Sequence, residues 1–307
     1  MRINIFRGIS KFQIAPNVKT PWWDVLFHNF NSTKVIAMET SEHNGINRTS
    51  KLTITRDEEE FAKFISLEKP ENGYVESTTL PSEPAHILKF ESSQHGKPAT
   101  VYRMMIDYQG VHVQTLPSAP FQTIFLSSSR PVSLSENRQR FSNQVNEGKR
   151  KNLIDALKII EPGLEGMELL DFNGETILHG EKGIGRPIPI LFMGDGFNRL
   201  SSIILAISDA PSGIVLIDEI ENGFHYSVLE DVWKVIAKAA RDFNVQIFAT
   251  THSLETIRAA HQAFSESDTY DFRYHRLDRR KSGQITASSY DQETMQAAVE
   301  MDFEIRG

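Results

Sequence analysis

The sequence predicts an α/β chain, with a mixed, largely parallel sheet flanked by helices and an N-terminal antiparallel β-rich lobe. Three observations carry that prediction. Residues 213–223 read Gly-Ile-Val-Leu-Ile-Asp-Glu-Ile-Glu-Asn-Gly, an apolar run from Ile214 to Ile217 that ends in adjacent carboxylates, Asp218 and Glu219. From Tyr226 to Phe243, the residues Val228, Leu229, Val232, Val235, Ile236 and Ala239 recur at helical spacing and form one stripe. A second apolar run, Val245 to Ala249, then delivers Thr250, Thr251, His252 and Ser253. Short apolar runs of this kind suit strands buried on both faces of a parallel sheet. The carboxyl ends of such strands open onto the ligand crevice.

Taken in order, residues 1–130 are expected to form the β-rich lobe. Val35 to Met38, Lys51 to Thr55, Ile87 to Phe90, Val101 to Ile106, Val111 to Gln114 and Thr123 to Leu126 read as mostly antiparallel strands with Ser-, Pro- and Gly-rich connections. Asp57 to Leu67 suits either a short acidic helix or an exposed turn. Trp22-Trp23 reads as a core or surface plug rather than a platform for stacking bases. Residues 131–307 are expected to form a helical segment followed by the α/β lobe. Helix signals run from Leu134 to Ile160, with Leu153, Ile154, Leu157 and Ile160 as the apolar stripe. Lys149, Arg150 and Lys151 before that stripe suit a solvated helix start better than a phosphate-backbone contact. Met167 to Phe172 and Thr176 to His179 form a hairpin through Asn173-Gly174, a dipeptide that accepts the left-handed backbone of a tight turn. Ser201 to Ile207 is an apolar helical run, Phe272 to Leu277 and Gln284 to Tyr290 are closing strands, and Asp291 to Glu300 is the last helix.

The chemistry concentrates around the two carboxylates. Asp218 suits Mg²⁺, which prefers carboxylate oxygens and waters. Glu219, pointing the other way, suits a general base acting on water. His252 at the end of the next strand suits a γ-phosphate sensor. The carboxylate pair by itself is equally compatible with a solvated turn, and His252 tips the balance toward a site. Upstream, Gly194-Asp195-Gly196-Phe197-Asn198 leads into the helical run, and glycines before a helix leave N–H groups open to an anion. A plain tight turn explains such glycines too.

This order of motifs resembles ABC-type ATPases, which are P-loop NTPases. It is most similar to the stand-alone AAA ATPases related to the overcoming-lysogenization-defect group, and more distantly to the ATPase heads of SMC and double-strand-break-repair proteins. The resemblance implies ATP and Mg²⁺ as cofactors, with Asp218 and Glu219 as the Walker B pair, Asp218 on the metal and Glu219 as base. It makes Gly194 to Asn198, with Gly194, Asp195, Gly196 and Asn198 as its polar and glycine positions, the signature loop that reaches a partner subunit's nucleotide. Glu221, Asn222 and Gly223 fall in a D-loop running to His225, and His252 is the switch histidine. Gly194 and Asp195 depart from the usual Leu-Ser-Gly-Gly pattern. Arg2 to Gly8, Phe125 to Arg130 and Phe303 to Arg306 extend the likeness along the chain. A homodimer or higher oligomer, a nuclease or toxin effector, a role in phage defence, and DNA are the associations the resemblance implies.

The phosphate-cradling Gly-x-x-x-x-Gly-Lys-Ser/Thr loop does not occur in the 307 residues. Gly96-Lys97 runs into Pro98, and Gly183-Ile184-Gly185-Arg186 has no lysine. In the resembled family the cradle would come directly before Met1, so the chain is expected to begin after it. Two other functions stay open. One is an interaction subunit that kept the fold without catalysis, and the other is a metal-dependent nuclease using Asp218 and Glu219, for which no further carboxylate or lysine cluster is evident.

Composition is that of an ordinary globular protein, with 39% hydrophobic and 24% charged residues. A net charge of −7 gives no global basic footprint, so nucleic-acid contact would rest on local patches. There is no cysteine, hence no disulfide framework or thiolate metal site, which fits a cytoplasmic protein. No stretch approaches the roughly 20 apolar residues of a membrane span.

Overall fold

The computed structural model describes residues 33–41, 45–67, 85–94, 96–107, 110–113, 121–129, 133–281 and 283–301. Trp22-Trp23, Arg2 to Gly8 and Phe303 to Arg306 lie outside them. The described residues divide into two compact units on either side of position 118, where the sequence reading had placed the division at 130.

In the first unit, β1 (Ile36–Ser41), β2 (Asn47–Thr55), β3 (His86–Gln94), β4 (Thr100–Asp107) and β5 (Gly110–Val113) form an antiparallel meander in chain order. The side-chain period of two splits neighbours between faces. Ile87 joins Phe61 and Phe64 of helix α1 (Glu58–Leu67), while Leu88 joins Met104 and Ile106 on the other face. The segment left open as helix or turn is therefore a helix. Its aromatic stripe decides the matter, because the sheet offers an apolar face to cover. Glu60 of α1 meets Arg103 Nε of β4 at 2.6 Å. Burial pushes the Glu60 carboxyl up, but the bond to Arg103 and the charges of Arg103, Lys89 and Lys63 outweigh it and leave the pKa lowered.

The second unit is built around β6 (Thr123–Leu126), β10 (Ile214–Ile217) and β11 (Gln246–Ala249), all parallel, in the order β11-β10-β6. Thr123 to Leu126 thus departs from the antiparallel lobe to which the sequence assigned it. Its four residues, Thr-Ile-Phe-Leu, pair with the equally short β10. Helices α2 (Leu134–Asn146), α3 (Arg150–Leu157), α4 (Asp195–Ser208), α5 (Leu229–Asp242) and α6 (Leu254–Ser265) share one core with this sheet, except that Ile257 of α6 packs elsewhere. Within α4, the residues Leu200, Ile203, Leu205, Ala206 and Ile207 are wholly buried.

One expectation fails here. β10 was read as buried on both faces, but only Val215 and Ile217 are buried, while Ile214 and Leu216 are half-exposed. Leu216 lies level with Phe125 on one side and Phe248 on the other, and these two rings are 39% and 53% exposed. Strand alternation puts that row on the face opposite the main core, and no core cluster among the described residues covers it.

The helix expected from Tyr226 begins with a 3₁₀ turn at Tyr226–Val228 before α5 proper, because His225 caps that turn. Helix α6 went unread in the sequence, since its N-cap is Ser253, a residue already assigned to the histidine motif. Between α3 and α4 lie β7 (Gly166–Phe172), β8 (Glu175–Glu181) and β9 (Ile188–Pro189), with β7 and β8 joined through Asn173 and Gly174 at φ 53° and 85°. The unit ends with the pair β12 (Tyr274–Arg279) and β13 (Ile285–Tyr290) and with α7 (Gln292–Glu300), where Asp291 and Thr294 form a reciprocal capping box. Lys149 pairs with Glu147 at 2.7 Å and lies over the Phe243 ring, so the basic triplet starts in a structural contact. No helix among the described residues is long and apolar enough to cross a membrane.

Helix α4 sits at the centre of this packing. Leu205→Ala, which empties a fully buried site, is expected to lower stability by about 3 kcal/mol in urea titrations followed by circular dichroism.

Candidate functional site

Parallel pairing in register brings Leu126, Ile217 and Ala249 level, so the residues after each strand gather at one sheet edge. Those residues are Ser127 to Ser129, the Asp218–Glu219 turn, and Thr250 to Ser253.

Hydroxyls hold Asp218. Ser128 Oγ donates to its Oδ2 at 2.5 Å, the Ser128 N–H lies 3.4 Å from the same oxygen, and Thr250 Oγ1 donates to Oδ1 at 2.9 Å. These bonds favour the charged form and hold the carboxyl below its ordinary range, with the Ser128 hydroxyl as the largest cause and Thr250 next. Asp218 is therefore an ionised carboxylate held by two oxygens, a hard donor set of the kind Mg²⁺ takes. No group of three or more His, Cys, Asp or Glu side chains that could hold a metal occurs among the described residues. A single carboxylate completed by water and phosphate oxygens is the arrangement expected for Mg²⁺ rather than for a metal caged by protein.

Glu219 takes different partners. Its φ is 45°, in the left-handed region, where a side chain costs about 1–2 kcal/mol over glycine. Its N–H donates to Thr250 Oγ1 at 2.9 Å, and its Oε2 accepts from Asn222 Nδ2 at 2.7 Å. The Ile220 N–H donates to the Thr250 carbonyl at 3.0 Å, which closes the turn. Strain of this sort persists only where the surroundings over-determine it, and it concentrates at functional sites.

The expected glycine loop and the turn after Glu219 lie back to back. A Cβ on Gly196 would come within 3.0 Å of the Gly223 carbonyl oxygen, and one on Gly223, at φ 86°, within 3.3 Å of the Asp195 backbone. Gly194 is the N-cap of α4 and makes no side-chain cap; its carbonyl accepts from Asn198 Nδ2 at 3.1 Å. The Glu221 Oε1 accepts the His252 N–H at 3.0 Å, while the His252 side chain is exposed. His225 bonds Ser227 and stacks beside Tyr226, a local cap in this chain. The structure thus joins Glu219 to Asn222, Glu221 to His252, and Asp195 and Gly196 to Gly223. Sequence reasoning missed Ser128, Thr250 and Arg199. Hydroxyls at the ends of neighbouring strands, and a lone arginine opening an apolar helix, were the available signals.

Residues 13–258 match the family described as "AAA domain, putative AbiEii toxin, Type IV TA system". The chain belongs to this family and is an AAA domain by class. Over 110 residues it is 33% identical to an ATP/GTP phosphatase of Helicobacter pylori, a match covering 33% of this chain and 29% of that protein. Over 65 residues it is 43% identical to the uncharacterized protein MJECL11 of Methanocaldococcus jannaschii, covering 21% of this chain and 57% of that one. The matched stretches thus span less than two thirds of either relative. Among solved structures it is similar to an SMC head bound to the C-winged helix domain of ScpA (10% identity, TM-score 0.42) and to the SMC head domain from Thermotoga maritima (11%, 0.35). Each match covers 82% of this chain and 78% of the other, and at these scores the likeness bears no further weight.

Because the folded pKa of Asp218 lies below its unfolded value, the stabilisation is full above about pH 4 and is lost as pH falls through the folded value. In Ser128→Ala or Thr250→Val, carboxyl-carbon NMR titration is expected to move the Asp218 midpoint up toward the ordinary aspartate range, and the acid loss of stability should shrink accordingly.

Proposed function

We propose that this chain is an ATP-hydrolysing module of the ABC class that works as a nucleotide-sandwich dimer and gates an effector. The observation that carries the reading is the division of labour at the end of β10. There Asp218 is ionised and held by hydroxyls, and Glu219 is turned onto a separate set of partners. Asp218 would hold Mg²⁺, which supplies charge neutralisation on the phosphates. Glu219 would take a proton from the attacking water, with Asn222 fixing the carboxylate. His252, exposed beside Glu221, would meet the γ-phosphate. The open N–H groups at the start of α4 would face the nucleotide of a second copy. The phosphatase name of the Helicobacter pylori relative favours nucleotide hydrolysis, and the toxin named in the family description favours a toxin or nuclease effector. DNA and phage defence belong to the same reading.

A second reading is an interaction subunit without catalysis. It would keep the fold and the Asp218–Glu219 turn as a scaffold. Calorimetry with Mg·ATP separates the components. The 307 residues alone are expected to bind weakly, and micromolar binding would show that the cradle lies elsewhere in them.

In a protein that carries a phosphate-cradling loop together with these residues, Glu219→Gln is expected to keep ATP binding and lose hydrolysis by about 10²–10⁴-fold. Hydrolysis at the normal rate would remove Glu219 from the role of base. Dimerisation is tested by mixing. Gly196 is a poor target, because a side chain there collides with Gly223 of its own chain. Asp195 is exposed and serves better. Asp195→Trp and Glu219→Gln subunits, each inactive alone, should regain part of the activity when mixed, since one composite site keeps both wild-type halves. Light scattering that showed a monomer with trapped ATP, with no recovery on mixing, would rule out the sandwich-dimer mechanism.

A further inference from the structure

Arg199 stands in the first turns of α4, a helix whose other buried residues are apolar apart from the serines Ser201, Ser202 and Ser208. It is buried, with only 9% of its surface exposed. Its Nη2 donates to the carbonyl oxygen of Asp218 at 2.8 Å and reaches that of Glu219 at 3.5 Å. Its Nε is buried and has no hydrogen-bond partner among the described residues. Burial draws its pKa down, opposed by the charges of Asp218, Glu219 and Glu221. A charge is expensive to bury, and a helix packing against a core would ordinarily place leucine or alanine there. What it gains is a grip on the backbone of the turn where Glu219, two residues past the end of β10, is held at positive φ.

We infer that Arg199 is a positioning residue. It fixes the strained Asp218–Glu219 turn from α4, and so makes that turn and the glycine-loop end of α4 one mechanical body. The inference rests on the functional reading above only for its purpose, namely aligning Glu219. A second contact joins the same two segments, since Gly196 and Gly223 lie backbone to backbone. The two attachments flank the turn. Arg199 holds residues 218 and 219, and the glycine contact holds residue 223 against Asp195 and Gly196. Whatever binds or displaces the start of α4 is then felt at the carboxylate of Glu219, and the converse holds with equal strength, because coupling between two sites is reciprocal.

The decisive test needs no nucleotide. Glycine at position 219 adopts φ 45° without strain, so Glu219→Gly removes what Arg199 is inferred to hold in place. In a double-mutant cycle by urea denaturation, Arg199→Met should cost at most about half as much in the Glu219→Gly background as in the wild type, a coupling expected only of residues that interact. Native-state amide exchange gives an independent readout. Arg199→Met should speed exchange at Glu219, Ile220 and Asn222 by about tenfold or more relative to β8. Arg199→Lys, which keeps a donor near the Asp218 carbonyl, should recover part of that protection, and it replaces Arg199→Met in the cycle if the methionine variant does not fold. Additive costs, with exchange accelerated evenly across the unit, would make Arg199 a packing residue and overturn the inference. Hydrolysis at the normal rate by Glu219→Gln would count against the function proposed above and leave this result intact. A flat cycle would do the reverse.

Discussion

The hydroxyl of Thr250 is shared between two neighbours with different needs. It donates to the carboxylate of Asp218 and accepts from the backbone N–H of Glu219, each at 2.9 Å. One oxygen just past β11 therefore helps to hold both the charge state of the first carboxylate and the path of the chain at the second. This works only because β10 and β11 run parallel and in register, with Ile217 level with Ala249, so that the residue after one strand meets the residue after the other. Antiparallel pairing would send these ends to opposite edges of the sheet.

Around that oxygen the site is held from three directions. Ser128 approaches from the end of β6, Thr250 from β11, and Arg199 from α4 behind the turn. The side-chain bonds meet the carboxylate of Asp218, and the arginine meets its carbonyl. A residue gripped at both ends is well placed for chemistry in which positioning and charge neutralisation do most of the catalysis. The cost is borne by Glu219, whose positive φ would be relieved by glycine, the residue that cannot act as a base.

The membership of the AAA family agrees with this architecture, and the unit that carries the carboxylates is the one with the parallel sheet. The antiparallel unit has its own two small cores and its own partly buried charge cluster around Glu60, so its stability argument is separate.

Much of this could be read from residues alone. The apolar run before Asp218, the stripe of α5, the Asn173-Gly174 hairpin and the capped last helix are local signals, each decided by period or turn chemistry within a dozen residues. The strand Thr123 to Leu126 was visible as a strand but not as a partner of β10, because its partner lies some 90 positions away, and pairing direction is not written in a four-residue run. Helix α6 was hidden by the motif that caps it. The exposed row of Phe125, Leu216 and Phe248 was invisible for a related reason, since apolar identity says that a side chain prefers cover and not whether its face receives any. The sequence by itself determined where the candidate residues fall along the chain: two adjacent carboxylates, a histidine and a glycine loop. Only the tertiary structure decided what holds them. Ser128, Thr250 and Arg199 come from three elements distant in the chain, and a hydrogen bond depends on positions to within a few tenths of an ångström, which side-chain spacing along a sequence does not specify.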